Sequence, residues 1–328
     1  MLWLYHGNGA GGWKGGRTRI AGDWTNQVQI FAVGNASGVP VTPPSSPSPT
    51  PTPTPTPTPS PSSSPTVAPG PPGVIRGDFT GDGIPDVLAR NGTGPVMIFP
   101  GTGSGTITLG VASGLGTAYN LLFRVGDVTG DHADDLLGRD SSGKLWLLPG
   151  NGAGGFGTPV ALGGTWSGYS MIFGSGDFNG DGHPDVMARD ASGTLWLFPG
   201  TGTGAGGAVL GPRVQIGTSW NQFTTVIGGG DFNGDGHQDV FARDGAGTLW
   251  LYEGNGRGGW TLPRVSAGTS WQTLSGMFVM DLSGDGRPDL FGRDAAGHLW
   301  EYKGNGAGWW FLPRVEVGSG FSGYTWWG

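Results

Sequence analysis

Residues 176–186 read GDFNGDGHPDV, and this stretch decides the fold because close copies of it recur along the chain. Related stretches begin at residues 77, 126, 230 and 280. A regular interval of about 50 residues is typical of architectures in which each copy forms one supersecondary unit. The first aspartates of the five copies, which are separated by 49, 50, 54 and 50 residues, are Asp78, Asp127, Asp177, Asp231 and Asp281.

Each copy is followed by short apolar runs that predict β-strands. In the third repeat these runs lie at residues 185–190, 194–198 and 213–216, and a further run at 225–227 leads into the next aspartate loop. The runs are rich in β-branched and aromatic residues and are bounded by Gly or Asp. No window shows a helical periodicity long enough to compete with this strand pattern. Four strands per repeat predict an all-β fold, a β-propeller of four-stranded blades with five complete blades and partial blades at the termini.

Composition narrows the class of protein further. The 328 residues include 70 glycines, which disfavour long helices and suit tight turns. There is no cysteine, which excludes disulfides and thiolate metal sites. The formal net charge of −7 argues against a nucleic-acid partner. We find no apolar run long enough for a membrane span.

The chain divides into three predicted segments. Residues 1–34 resemble the later half of a repeat, because LWLYHGNGAGGW at residues 2–13 matches LWLYEGNGRGGW at 249–260. Residues 35–73 form a Pro/Thr/Ser-rich linker, which cannot build a packed core. Residues 74–328 form the propeller. The first 31 residues lack the features of a signal peptide, so we expect a truncated start or a fragment of a secreted or cell-surface protein.

The C-terminal residues 324–328 resemble the first strand of another blade. Two arrangements fit the sequence equally well. In one, this strand completes a blade with the N-terminal strands and closes the ring. In the other, residues 1–34 belong to a neighbouring array upstream.

The aspartate loops carry the ligand pattern of a calcium site. Oxygen side chains fall at loop positions one, three, five and nine, position seven can offer a backbone carbonyl, and glycine at six permits a sharp turn. Three close carboxylates repel one another unless a cation lies among them. Five occupied sites would change the net charge from −7 to +3. The predicted ligands are Asp78, Thr80, Asp82, Ile84 and Asp86; Asp127, Thr129, Asp131, Ala133 and Asp135; Asp177, Asn179, Asp181, His183 and Asp185; Asp231, Asn233, Asp235, His237 and Asp239; and Asp281, Ser283, Asp285, Arg287 and Asp289.

The second loop is expected to be the weakest calcium site. His132 stands where the other four loops have glycine at position six. A residue other than glycine costs about 1 kcal/mol at positive φ. We therefore expect lower affinity or a local distortion in the Asp127 loop.

These loops resemble FG-GAP (VCBS-type) repeats, which occur in the propeller of integrin α chains and in many bacterial secreted proteins. The segments GDFNGDGHPDV and GDFNGDGHQDV are close to that family's motif, and the resemblance covers residues 74 to about 324. It implies a propeller, often seven-bladed, with calcium on the loop that joins the first two strands of each blade. This chain departs from the family in having only five complete motifs.

Repeated aromatic and arginine residues suggest structural roles first. We expect one tryptophan set to be inter-blade core. A loop set is the better candidate for ligand contact. The repeated arginines are expected to pair with an aspartate or stack on a tryptophan. The core set is Trp146, Trp196, Trp250 and Trp300; a second set is Trp166, Trp220, Trp271 and Phe321; the loop set is Phe156, Trp260 and Trp309; and the arginines are Arg90, Arg139, Arg189, Arg243 and Arg293.

Three functions fit these features. The leading hypothesis is a non-catalytic extracellular binding or scaffold module that is stabilised by calcium. It would bind a glycan or an extracellular protein through loops of one propeller face, either on its own or as the tail of a larger secreted enzyme. The first alternative is a lectin with repeated sugar sites, since a fungal lectin family with similar repeats binds N-acetylglucosamine between blades. The second alternative is a hydrolase with its site at the central channel.

Overall fold

The computed structural model describes residues 2–7, 13–20, 77–204, 208–311 and 313–327. Contacts divide the chain into two units, Met1–Ser60 and Pro61–Gly328. The first unit contains an antiparallel hairpin of β1 (Leu2–Gly7) and β2 (Trp13–Ile20). The predicted linker at residues 35–73 lies outside the described residues. Among those residues, no helix is long and apolar enough to cross a membrane.

The second unit is a β-propeller of five four-stranded antiparallel blades, as the repeats predict. The second blade contains β6 (Tyr119–Gly126), β7 (Asp135–Asp140), β8 (Leu145–Leu148) and β9 (Val160–Ala161). The third contains β10 (Tyr169–Gly176), β11 (Asp185–Asp190), β12 (Leu195–Phe198) and β13 (Val214–Gly217). The fourth contains β14 (Phe223–Gly230), β15 (Asp239–Asp244), β16 (Leu249–Gly254) and β17 (Trp260–Ser266). The fifth contains β18 (Ser275–Met280), β19 (Asp289–Arg293), β20 (Leu299–Tyr302) and β21 (Val315–Gly318).

The first blade is built from both ends of the propeller sequence. Its strands, in spatial order, are β22 (Tyr324–Trp327), β3 (Val87–Asn91), β4 (Val96–Phe99) and β5 (Val111–Ala112). The C-terminal strand therefore completes the first blade and closes a ring of five. It is not a fragment of a sixth blade, and its partner is β3 rather than the N-terminal hairpin.

The core lies between blades rather than within them. Each blade buries apolar residues on both faces, and five clusters of buried side chains each join residues of two neighbouring blades. A single blade of about 50 residues cannot cover both of its faces alone. Burial of these clusters is therefore the main favourable term that holds the ring together.

The turn after the second strand is held by the carboxylate of its first residue in four of the five blades. In the third blade, the amide of Gly193 donates to the carbonyl of Asp190, and Gly193 has a φ of 86°. The Asp190 carboxylate accepts hydrogen bonds from Ser192 and Thr194 and from the indole of Trp196. The turn thus fixes where the third strand begins and how its tryptophan is oriented.

Candidate functional site

The first aspartate of each metal loop organises the loop backbone. One carboxylate oxygen of Asp177 accepts hydrogen bonds from the amides of Gly180 (2.7 Å) and Asp181 (3.0 Å), and the other accepts from Gly182 (2.8 Å). Gly180 and Gly182 have φ values of 78° and 90°, which favour glycine. The loop is a tight turn wrapped around one carboxylate. The equivalent residues Asp78, Asp127, Asp231 and Asp281 make the same kind of contacts.

The last aspartate of each loop is fully buried. In the third blade, Asp185 Oδ2 accepts from the amides of Phe178 and Asn179, and Oδ1 accepts from Gly200. Burial raises the pKa of Asp185 to about 7, the backbone hydrogen bonds oppose that rise, and the charges of Asp181 and Asp177 add to it. The three carboxylates are therefore close enough to repel one another. Asp86, Asp135, Asp239 and Asp289 are equally buried.

The middle positions of the loop are linked by side-chain hydrogen bonds. The Asn179 amide donates to Asp181 Oδ2 at 2.9 Å, and the Asp181 Oδ1 atom accepts from the amide of His183 at 2.9 Å. The residues at position seven thus use their amides within the loop. They are Ile84, Ala133, His183, His237 and Arg287, and each donates to the aspartate at position five.

The donor chemistry of these loops fits calcium. Carboxylate, amide and hydroxyl oxygens are the ligands that calcium takes, and each carboxylate oxygen that accepts one amide keeps a lone pair free. Within the described residues, however, no group of three or more acidic or histidine side chains is arranged to hold a metal. The oxygens face backbone amides instead of converging on one point. The calcium sites stay a prediction.

The second loop keeps the form of the other four, and the local distortion expected from the sequence is not seen; His132 carries backbone strain instead. His132 has a φ of 73°, in the region where the other loops use glycine. Its amide nevertheless donates to Asp127 Oδ2 at 2.9 Å, so the loop closes in the same way. The strain is local to this residue. Whether it weakens calcium binding stays a prediction.

Two open clefts between blades are a second candidate site, which the sequence did not reveal. The first is bounded by Trp166, Tyr169 and Phe198 and has a volume of about 490 Å³. The second is bounded by Phe99, Phe321 and Tyr324 and has a volume of about 500 Å³. The ring centroids lie 4.5–5.7 Å apart in the first cleft and 5.4–5.7 Å apart in the second. These volumes fall in the range of small-molecule sites.

The clefts are open because one residue of the Gly-rich loop is aliphatic instead of a tryptophan. Trp260 packs against Trp220 and Tyr252 in the fourth blade, and its indole donates to the carbonyl of Ile216. Trp310 packs against Trp271 in the fifth. In the same register, paired with the glycine that starts the loop, the open clefts have Leu210 and Ile107. An aliphatic side chain there leaves the space that an indole fills elsewhere.

The loop set of aromatic residues therefore has a different role from the predicted one. Trp260 is a packing residue, and Phe156 lies against Phe79 with ring centroids 5.7 Å apart. Trp310 rather than Trp309 is the equivalent of Trp260. Trp309 is 47% exposed and is the one member of the predicted set that is available to a partner.

The other repeated aromatic residues are structural. The second set, Trp166, Trp220, Trp271 and Phe321, is buried between blades. The indoles of the first set donate to the turn aspartates, and a cation lies over each ring at 4.0–4.4 Å. These indoles are half-buried at the edges of the core clusters. The pairs are Lys144 with Trp146, Arg213 with Trp196, Arg264 with Trp250 and Arg314 with Trp300.

The repeated arginines join blades through backbone carbonyls, and the predicted pairing with aspartate or tryptophan is wrong. Arg189 donates from Nη1 to the carbonyls of Trp220 (2.9 Å) and Phe223 (2.7 Å) in the next blade. Arg90, Arg139, Arg243 and Arg293 make equivalent contacts. A backbone acceptor has no side-chain signature, so the repeat pattern could not identify it.

The central channel is narrow and mostly apolar. Its lining comes from β6, β10, β14 and β18, and its volume is about 190 Å³. Arg124 is the charged residue among the lining residues that the structure describes. It is buried and donates to the carbonyl of Val279, and burial lowers its pKa to about 10. This lining has no carboxylate pair of the kind that a glycosidase uses.

Comparison with protein families identifies the repeats. A model described as "FG-GAP-like repeat" matches residues 78–138, 127–188 and 231–292, which together make up more than half of the chain. No curated protein matches the chain at a significant level.

Several solved structures are similar to the chain. One is a lectin of Agrocybe aegerita, described as specifically recognising non-reducing terminal N-acetylglucosamine, with 21% identity and a TM-score of 0.43. The match covers 74% of this chain and 65% of the lectin, which is less than two thirds of its length. Another is the BP39L lectin of Burkholderia pseudomallei, with 19% identity, a TM-score of 0.43, and coverage of 72% of this chain and 70% of that lectin.

Proposed function

The chain belongs to the FG-GAP-like repeat family, and from this premise we propose that it is a non-catalytic extracellular binding module that takes saccharides in its two open inter-blade clefts. The observation that carries the proposal is the pair of clefts lined by aromatic rings, at equivalent places in the ring. The flat face of an aromatic ring can pack against the apolar face of a sugar ring. Small-molecule sites in general combine an apolar wall with a few polar groups that orient the ligand.

The rim of the first cleft offers polar groups that would orient a sugar. The hydroxyl of Tyr169 accepts a hydrogen bond from Arg213 at 2.5 Å, and Thr165 also lines the cleft. The second cleft has Thr108 and Ser319 on its lining. Hydroxyl and guanidinium groups beside an aromatic wall supply both donors and acceptors for sugar hydroxyls.

The proposal is tested by filling the two clefts with indoles, as Trp260 and Trp310 fill the equivalent positions of the fourth and fifth blades. Leu210→Trp and Ile107→Trp place an indole where Trp260 and Trp310 stand. We expect the wild type to bind members of a glycan array and the double variant to lose this binding. Arg257→Ala, at an exposed site outside both clefts, is the control and should bind as the wild type does.

Two results would count against the saccharide proposal. The wild type could bind no glycan on the array, or the double variant could bind as well as the wild type. Because both substitutions add apolar contacts, the melting temperature should be unchanged or higher, and this separates blocked binding from unfolding. Glycosidase and peptidase substrates tested in parallel would reveal turnover if the hydrolase hypothesis were correct.

We propose further that calcium stiffens the aspartate loops. The ligands would be the oxygens at positions one, three, five and nine, with the carbonyl at position seven. Extracellular calcium modules bind at about 10⁻⁴ to 10⁻³ M, so 10 mM calcium would stabilise the fold by roughly 1.4–2.7 kcal/mol per site. The repulsion between Asp185 and its neighbours, which a dication would remove, supports this proposal.

The calcium proposal is tested by thermal unfolding and metal analysis. We expect calcium to raise the melting temperature and EDTA to reverse the rise. Asp181→Ala should lower the bound calcium by about one ion per chain. Asp190→Asn removes an aspartate of a turn rather than a loop and should leave the bound calcium unchanged. Equal calcium content in all three proteins would contradict the assignment of the loops.

A further inference from the structure

The fifth blade contains a buried glutamate that has no counterpart in the other blades. Glu301 lies in the third strand, paired with Phe291, and is 0% exposed. A charged residue at such a position is rare unless a partner compensates it. The other blades have buried aliphatic residues at the equivalent place, namely Ile98, Leu147, Leu197 and Leu251.

Three carboxylate oxygens around Glu301 accept no hydrogen bond from any described group outside the Glu301–Asp289 pair. They are both oxygens of Glu301 and Oδ2 of Asp289, and all three are inaccessible to solvent. The two carboxyl groups are in direct contact. Asp289 Oδ1 accepts only from the amide of Gly304, at 2.9 Å.

The last aspartate is arranged differently in the other four blades. There, Oδ2 accepts hydrogen bonds from two amides of its own loop. In the fifth blade Oδ2 of Asp289 accepts none and lies beside Glu301. The loss of two donors and the gain of a second carboxylate occur at the same place. Together they leave a buried oxygen-lined position whose negative charge, when both groups are ionised, is opposed by burial, which raises the pKa of both.

Lys303 compensates only part of this charge. Its Nζ lies 3.8 Å from Glu301 Oε2, and its side chain is 38% exposed. One ammonium faces two carboxylates, and at 3.8 Å it makes no hydrogen bond. The first blade covers the pair, since a methyl group built on Gly105 would lie 3.7 Å from both Glu301 Oε2 and Lys303 Nζ.

We propose that Glu301 and Asp289 together bind one divalent cation of the calcium class at the junction between the fifth and first blades. Carboxylate oxygens are hard ligands that suit calcium, and a dication supplies the positive charge that Lys303 does not. The site lies between the fifth blade and the Gly105 loop of the first blade, so the ion would hold these two blades together. The proposal deepens the calcium assignment for the fifth loop alone, with which it shares Asp289.

The test measures calcium bound per chain by equilibrium dialysis against calcium chloride, followed by elemental analysis. Glu301→Gln keeps the shape and removes the charge, and Glu301→Leu restores the residue type of the other blades if the first variant folds poorly. We expect either variant to bind one calcium ion fewer than the wild type. Glu316→Gln removes an exposed carboxylate of the same blade and should bind as many ions as the wild type.

The outcome separates this proposal from the general calcium proposal. If the wild type binds several ions and both Glu301 variants bind the same number, the Glu301 site is wrong and the loop sites stand. If the wild type binds one ion that Glu301→Gln abolishes and Asp181→Ala does not, the Glu301 site stands and the general loop assignment fails. Glu301→Gln could instead bind as much calcium as the wild type and melt at a higher temperature in EDTA. That result would show that Glu301 and Asp289 share a proton instead of binding a cation, and it would overturn the proposal.

Discussion

Replacing Arg189 by methionine should weaken the junction between the third and fourth blades. The guanidinium donates two hydrogen bonds to the carbonyls of Trp220 and Phe223, and its Nε donates to Ser170. Methionine keeps most of the apolar stem but leaves both carbonyls without their donor. The side chain is half-buried, and burial lowers the pKa of Arg189.

The magnitude follows from the two inter-blade bonds. A hydrogen bond to a charged group contributes about 1.5–3 kcal/mol. Two such bonds give an upper range of roughly 3–6 kcal/mol, and partial access of water to the site reduces it. We therefore expect the free energy of unfolding to fall by roughly 2–4 kcal/mol.

Equilibrium unfolding in urea at fixed calcium concentration measures this change. Arg257→Met is the matched control, because Arg257 is exposed on a Gly-rich loop, and its unfolding free energy should change by less than about 0.5 kcal/mol. Fluorescence and circular dichroism should give coincident transitions if unfolding is two-state. A decrease for Arg189→Met below about 1 kcal/mol, or one equal to that of the control, would show that the arginines do not hold the blades together.

Three further changes test the loops and turns. His132→Gly should raise the free energy of unfolding by roughly 0.5–1 kcal/mol, because glycine tolerates the φ of 73°, and urea unfolding would contradict this if stability fell. Gly254→Ala should lower it by roughly 1–3 kcal/mol, since the new methyl would lie 2.0 Å from the carbonyl oxygen of Gln238, whereas Gly245→Ala meets no atom within 4 Å and serves as control. Hydrogen bonds from Ser192 and Trp196 lower the pKa of Asp190 to about 2, so its contribution to stability is present above about pH 4 and lost as the pH falls through about 2. Asp190→Asn should therefore lose this pH dependence in acid-unfolding curves. Parallel curves for the variant and the wild type would refute the assignment.

The repeat pattern predicted the blades because each strand carries its own signal. The turn at Asp190 and the positive-φ residue at His132 were both readable from single positions. Ring closure was not readable, because residues 324–328 look like an inner strand whichever blade they join. The structure resolves the choice through the pairing of Tyr324–Trp327 with Val87–Asn91, a contact between segments more than 230 residues apart.

The aspartate loops show what a ligand pattern can and cannot establish. The pattern identified Asp177 and Asp185, and their hydrogen bonds to backbone amides give each carboxylate a structural role beside any role as a ligand. The same residues therefore serve a turn and suit a metal. Glu301 was missed for a different reason. It lies outside the loop motif, and an alignment of the third strands would have shown it among aliphatic residues.

The clefts follow from a difference between repeats rather than from the repeat itself. Trp260 and Trp310 fill the position that Leu210 and Ile107 leave open, although all four residues lie in the same register. Packing alone would favour an indole at every blade, because it buries more apolar surface than leucine or isoleucine. A repeat protein that keeps two such positions small forgoes that stabilisation twice, and the vacated volume is lined by aromatic rings. Replacing Leu210 and Ile107 by tryptophan therefore tests whether the space serves a ligand. A variant that is more stable and no longer binds glycan would show that stability was exchanged for binding. A more stable variant with unchanged binding would place the ligand elsewhere.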